Sequence, residues 1–118
     1  MKKGMRTVVW DDELQIEAYR LAGVAQPFPN HFHEYYVIGF VEAGQRLLHC
    51  QRQEYILGPG NILLFNPGDN HSCVPLAEQF LAYRGFNISQ EVMQSWAAEL
   101  TGSAILPVFS ENVLYNKE

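Results

Sequence analysis

Between residues 30 and 88 the apolar positions fall in short runs, each closed by glycine, proline or polar residues. YYVIGFV (35–41) is rich in aromatic and β-branched side chains, which favour a strand. Glu42, Ala43, Gly44 and Gln45 follow as a hairpin-like turn. RLLHCQ (46–51) and EYIL (54–57) are the next strands. Gly58, Pro59 and Gly60 end the second, since proline lacks the ladder donor and glycine accepts positive φ. NILLF (61–65) is a fourth strand, stopped by the turn residues 66–70, and QFLAYRGFNI (79–88) is a fifth. Strands at intervals of roughly 8–12 residues, with turn chemistry between them, predict an all-β sandwich or barrel.

The flanks read differently. TVVW (7–10) predicts a strand. DDELQIEAYRL (11–21) has acidic residues where a helix would begin, yet Leu14, Ile16 and Ala18 also alternate onto one face of a strand, and strand is the preferred reading. SQEVMQSWAAEL (89–100) predicts a helix. Ser89 is a natural N-cap, Val92, Trp96 and Leu100 recur on one face, and Gly102 sits where a left-handed cap belongs. That stripe is expected to dock on the barrel. Residues 103–118 carry no obvious terminal element, and the chain shows no internal repeat or low-complexity linker.

Composition narrows the function. The 118 residues are enough for one domain with a core. Apolar residues at 47% and charged residues at 18% are globular values. A net charge of −5, with basic residues scattered apart from Lys2, Lys3 and Arg6, argues against unaided binding to a nucleic-acid backbone. Cys50 and Cys73 form no CxxC pair and read as small buried residues in a reduced compartment. The basic start has no apolar stretch behind it, and no apolar run approaches the roughly 20 residues that span a bilayer. A soluble cytoplasmic protein without membrane contact is the expectation.

The candidate chemistry lies in 31-HFHEYY-36 and 67-PGDNH-71. On a strand His31 and His33 would share a face, with Tyr35 and Val37 continuing it. His71 follows the Pro-Gly turn after NILLF. Three imidazoles from neighbouring strands suit a divalent transition metal such as Zn, Ni or Fe, and equally suit a polar ligand held by hydrogen bonds. His49 falls on the opposite alternation from Arg46, Leu48 and Cys50 and reads as a surface or strand-pairing residue. Arg84, after the second motif, is a candidate partner for a ligand carboxylate, and Arg46 is a weaker one.

HFHEYYVIGFVEAG (31–44) resembles the first conserved motif of the cupins, especially as it occurs in the amino-terminal effector-binding domain of AraC-family transcription regulators. GPGNILLFNPGDNHSC (58–73) resembles the second motif. The resemblance covers residues from about 14 to 115. It implies a cupin-type double-stranded β-helix, a small jelly-roll barrel, with a ligand pocket at its mouth. It also implies a carboxy-terminal domain with two helix-turn-helix motifs, absent from these residues, as the route to DNA. The ending at Glu118 fits a piece trimmed to the sensor domain. His31 and His33 match the histidines of the first motif, and His71 matches that of the second.

Two positions depart from the enzymatic pattern. Metal-dependent cupin enzymes place a carboxylate four residues after the second histidine, and here that residue is Val37. Glu34, one residue beyond His33, would face away from it on a regular strand. Asn66 stands where many enzymatic cupins have proline. The resemblance therefore implies a non-enzymatic sensor that binds a small-molecule effector through His31, His33, Tyr35, Val37, His71 and Arg84. The alternative is a small metal-dependent cupin enzyme using His31, His33 and His71. Self-association into a homodimer, with a contribution from the 89–100 helix, is a further expectation.

Overall fold

Alternation along the strands decides which side chains meet in the interior. The structure, a computed structural model, describes residues 4–77 and 79–115. Lys2, Lys3 and Glu118 lie outside the described residues. In chain order the elements are β1 (Met5–Asp11), β2 (Ile16–Val24), β3 (Phe28–His31), β4 (Tyr36–Ala43), β5 (Arg46–Cys50), β6 (Gln53–Leu57), β7 (Ile62–Phe65), β8 (His71–Pro75), β9 (Leu81–Ile88), α1 (Gln90–Thr101) and β10 (Val113–Leu114). They form a six-stranded sheet, β1-β2-β9-β4-β7-β10, and a four-stranded sheet, β3-β8-β5-β6. Every strand pairing is antiparallel. The fold is the double-stranded β-helix expected from the sequence.

The inner faces supply the core. Val37 and Val41 from β4, Leu48 and Cys50 from β5, Leu63 and Phe65 from β7, and Leu81 and Tyr83 from β9 are all buried in one cluster. Burying one such aliphatic side chain stabilises the fold by roughly 1.5–3 kcal/mol. His49, between Leu48 and Cys50, is exposed and faces Glu54 across the β5–β6 ladder, as the alternation predicted. Cys50 and Cys73 are buried free thiols.

The outer face of the larger sheet carries α1. Val92, Met93 and Trp96 pack on Ile16, Tyr36 and Ile88. Ser89 caps the helix by accepting from the Val92 amide at 3.1 Å, and Gly102 closes it at φ 81°. Leu100 departs from the expected docking stripe, being 86% exposed. Residues four apart on a helix rotate by about 40° per step, so Leu100 has turned about 80° from Val92 while Met93 and Ala97 take the buried side. The 11–21 segment is not one strand: Asp11 ends β1, a turn follows, and β2 begins at Ile16. Leu14 lies in the preceding turn, where Gln15 has φ 59°, and is exposed.

The sequence reading missed three strands. β3 contains a proline and β8 mixes Ser, Cys and Pro, so neither carries a hydrophobic period. The carboxy-terminal segment returns to add β10 to β7. Side-chain amides hold it there: Asn112 Nδ2 donates to the Leu64 carbonyl at 2.8 Å, and Asn66 Oδ1 accepts from the Phe109 amide at 2.7 Å. Among the described residues, no helix is long and apolar enough to cross a membrane.

Candidate functional site

The two motifs meet because β3 and β8 are neighbours. His31 ends β3 directly opposite His71, which begins β8. His33 lies beyond the end of β3, in the extended connection to β4, and its carbonyl accepts from the Gly68 amide at 2.8 Å. That bond ties the HFH segment to the turn before His71. The three imidazoles offer ligand atoms that all lie within 4.8 Å of one another. Tyr35 stacks on His33 at 4.7 Å, and Phe65 stacks on His71 at 3.9 Å. A single strand face is thus not what aligns His31, His33 and Tyr35. The strand breaks between them, and the connection curls the same residues inward.

Backbone carbonyls orient two of the rings. His31 Nδ1 faces the Pro29 carbonyl at 2.7 Å, and His71 Nδ1 faces the Asp69 carbonyl at 3.0 Å. With the proton on Nδ1, each Nε2 keeps its lone pair for a ligand. Burial pushes the His71 imidazolium down to about 4, aided by the two neighbouring rings. His33 is lowered by burial and by His31. Both are therefore neutral near pH 7. Three converging imidazoles, two of them oriented by backbone carbonyls, fit a divalent transition metal, which would add a Lewis-acidic contact point for a ligand oxygen.

The turn that carries His71 is itself braced. Asp69 Oδ2 accepts from the Asn66 amide at 2.9 Å, from Asn66 Nδ2 at 3.1 Å and from Asn112 Nδ2 at 3.0 Å. Asn66 thereby links the turn to the returning carboxy-terminal segment, which proline in its place could not do.

Behind the histidines the barrel encloses a cavity of about 420 Å³, within the range that small-molecule sites occupy. His31, His33, Tyr35, Val37 and His71 all line it. Val37, 2% exposed, adds an alkyl group to the cavity wall. Glu34 is exposed and is not among the residues that line the cavity. Tyr19 and Tyr83 line another wall, with the Tyr19 phenol pushed up to about 12 by burial.

A model of the AraC-like ligand binding domain matches residues 13–117. The chain belongs to that family. This AraC-like domain is 52% identical over all 118 residues to the uncharacterized HTH-type transcriptional regulator YbfI of Bacillus subtilis (strain 168), and it spans 43% of that relative's length. Solved structures show the same fold. KdgF from Halomonas sp. superposes with a TM-score of 0.59 at 21% identity, over 75% of this chain and 81% of that one. A putative mannose-6-phosphate isomerase from Ralstonia eutropha JMP134 gives 0.64 at 10% identity, over 75% and 87%. An RmlC-like cupin with a double-stranded β-helix from Methanocaldococcus jannaschii gives 0.59 at 14%, over 72% and 81%. At these identities the structures report the fold alone.

One expected ligand contact of the AraC-like domain is placed elsewhere. Arg84 sits on the outer face of β9, exposed, and pairs with Glu42 at 3.0 Å. Glu42 also binds Arg20 at 3.2 Å. Arg84 is an even step from Phe86 and Ile88 on the outward alternation, so it cannot reach the cavity. The interior guanidinium belongs instead to Arg46, which is 1% exposed and lines the cavity. Its place on the inward alternation with Leu48 and Cys50 was the sequence signal for it.

Proposed function

We propose that this domain senses a small-molecule effector in its barrel and transmits occupancy to a DNA-binding part of a transcription regulator outside these 118 residues. One observation carries the reading: an interior cavity of about 420 Å³ bounded by His31, His33 and His71. The HTH-type relative, of which this chain spans 43%, supports a further DNA-binding region. His31, His33, Tyr35 and His71 serve as polar anchors, and Val37 shapes the apolar wall. The effector must bind the two regulator states differently, typically by about 1–3 kcal/mol. A cytoplasmic setting fits the free thiols of Cys50 and Cys73. Self-association completes the proposal, with the exposed Leu100 on α1 available to a second copy.

The domain recognises its ligand without transforming it. The histidine cluster contains three imidazoles and no carboxylate among the described residues. A second reading, a metal-dependent cupin enzyme using His31, His33 and His71, draws on the same cluster. Thermal-shift measurements with small-molecule panels separate the two. The sensor reading expects a ligand that raises the melting temperature and is recovered unchanged after incubation. Recovery of a metal-dependent product would favour the enzyme.

A further inference from the structure

Among the described residues the two sheets end in four edge strands, and one of them is unprotected. β10 is two residues long, β3 carries Pro29 and a shift of register, and β6 carries Glu54. Short length, proline, irregularity and charge are the usual means of keeping an edge from pairing. β1 has seven residues, with neither proline nor glycine, and pairs with β2 in one unbroken register. Its charged residues, Arg6 and Asp11, stand only near its ends. Every residue of β1 is exposed, including Val8, Val9 and Trp10 in its middle and second half. Along the free edge every second residue turns its N–H and C=O away from β2.

The sequence of β1 is complementary to itself. Set antiparallel to a second copy about Val8, it places Val8 opposite the partner's Val8, Thr7 opposite the partner's Val9, Arg6 opposite the partner's Trp10 and Met5 opposite the partner's Asp11. Whichever alternate set of backbone groups faces outward, that register pairs it. The Arg6 side chain is mostly exposed, and an indole opposite it is a good partner for a guanidinium. Charge favours the same orientation. Lys2, Lys3 and Arg6 make one end of the segment basic, and Asp11, Asp12 and Glu13 make the other acidic. No cation among the described residues pairs with those three acids. Trp10 also borders a groove beside α1 that Glu13, Glu17, Glu91 and Glu99 line. Antiparallel pairing sets the basic end of each copy against the acidic end and groove of the other, twice over.

We infer that two copies of this chain join edge to edge through β1, antiparallel, with the two-fold axis at Val8. This rests on the self-association proposed above and gives it a surface. Sedimentation equilibrium over a concentration series reads the association. Val8→Lys sets two like charges directly opposite each other and should weaken the dimer at least tenfold. Its circular dichroism should match wild type, because Val8 is exposed in the monomer. In Val8→Cys the two new thiols would lie on backbones about 5 Å apart, within disulfide reach. That variant should cross-link under diamide. Met5→Cys should not, since six strand steps, about 20 Å, separate position 5 from its own copy. Cys50 and Cys73 are buried and stay out of the reaction. Should Val8→Lys fold poorly, the two cysteine variants decide alone. A dimer that Val8→Lys leaves intact, with Val8→Cys cross-linking no faster than Met5→Cys, would overturn the β1 interface and leave self-association standing. A chain that stays monomeric at every concentration would overturn both and leave the edge to a partner of another kind.

Discussion

His31 and His71 stand directly opposite each other across the β3–β8 ladder, with ring centroids 4.3 Å apart. The register itself joins the two sequence motifs, and His33 completes the group from the adjoining connection. Added Zn, Ni or Fe(II) should therefore bind one ion per chain near neutral pH. His71→Ala removes one of three ligands and should weaken that binding at least tenfold in a metal titration. Undiminished binding in His71→Ala would mean that the ion sits elsewhere.

Acid should destabilise the metal-free domain. The His71 pKa is about 4 in the fold, below its ordinary 6.5. Between those values the unfolded chain binds more protons, so stability is full above pH 6.5 and is lost as pH falls toward 4. From pH 7.5 to 5 the loss from this group is on the order of 2 kcal/mol. Urea melts with chelator present should show the decline, and His71→Gln should flatten it.

Gly39 should tolerate no side chain. It faces Gly85 across the β4–β9 ladder. A Cβ at Gly39 would overlap the Tyr83 hydroxyl, and one at Gly85 would overlap the Tyr19 ring. The paired glycines make room for the two tyrosines of the cavity wall. Gly39→Ala is expected to cost about 3 kcal/mol, since the buried Tyr83 has little space to yield. A change below about 1 kcal/mol in chemical denaturation would contradict that packing.

Asp69 should matter through its turn rather than through the ligand. It is the acceptor for Asn66 and Asn112. With the bond from Gln51 Nε2 to Oδ1, Asp69→Ala removes four hydrogen bonds to a charged group, with an expected loss of about 2–3 kcal/mol. Ligand or metal affinity should fall with it, because His71 leans on the Asp69 carbonyl. Calorimetry on the variant checks both effects.

The barrel and the histidines were legible because they rest on local signals. Hydrophobic alternation marked β4, β5 and β7, capping residues marked α1, and the residue types at 31, 33 and 71 marked the chemistry. The arginine was harder to place. Arg84 was preferred to Arg46 for its place on the strand after the second motif, and a charged side chain is rarely buried without a partner. Only the inward alternation shared with Leu48 argued otherwise. The bracing by Asn66, Asp69 and Asn112 joins residues more than 40 positions apart through side-chain amides, and no periodicity signals such contacts.

The most direct test of the cavity as effector site is the melting temperature of wild type, His71→Ala and Arg84→Ala with one stabilising small molecule. At a concentration of 100 Kd that ligand adds about 2.7 kcal/mol of stability to a competent site, a shift of order 10 °C for a domain of this size. The shift should be lost or sharply reduced in His71→Ala and unchanged in Arg84→Ala, whose side chain lies outside the barrel. A full shift in His71→Ala together with a lost one in Arg84→Ala would place the ligand on the outer face of β9 and contradict the account.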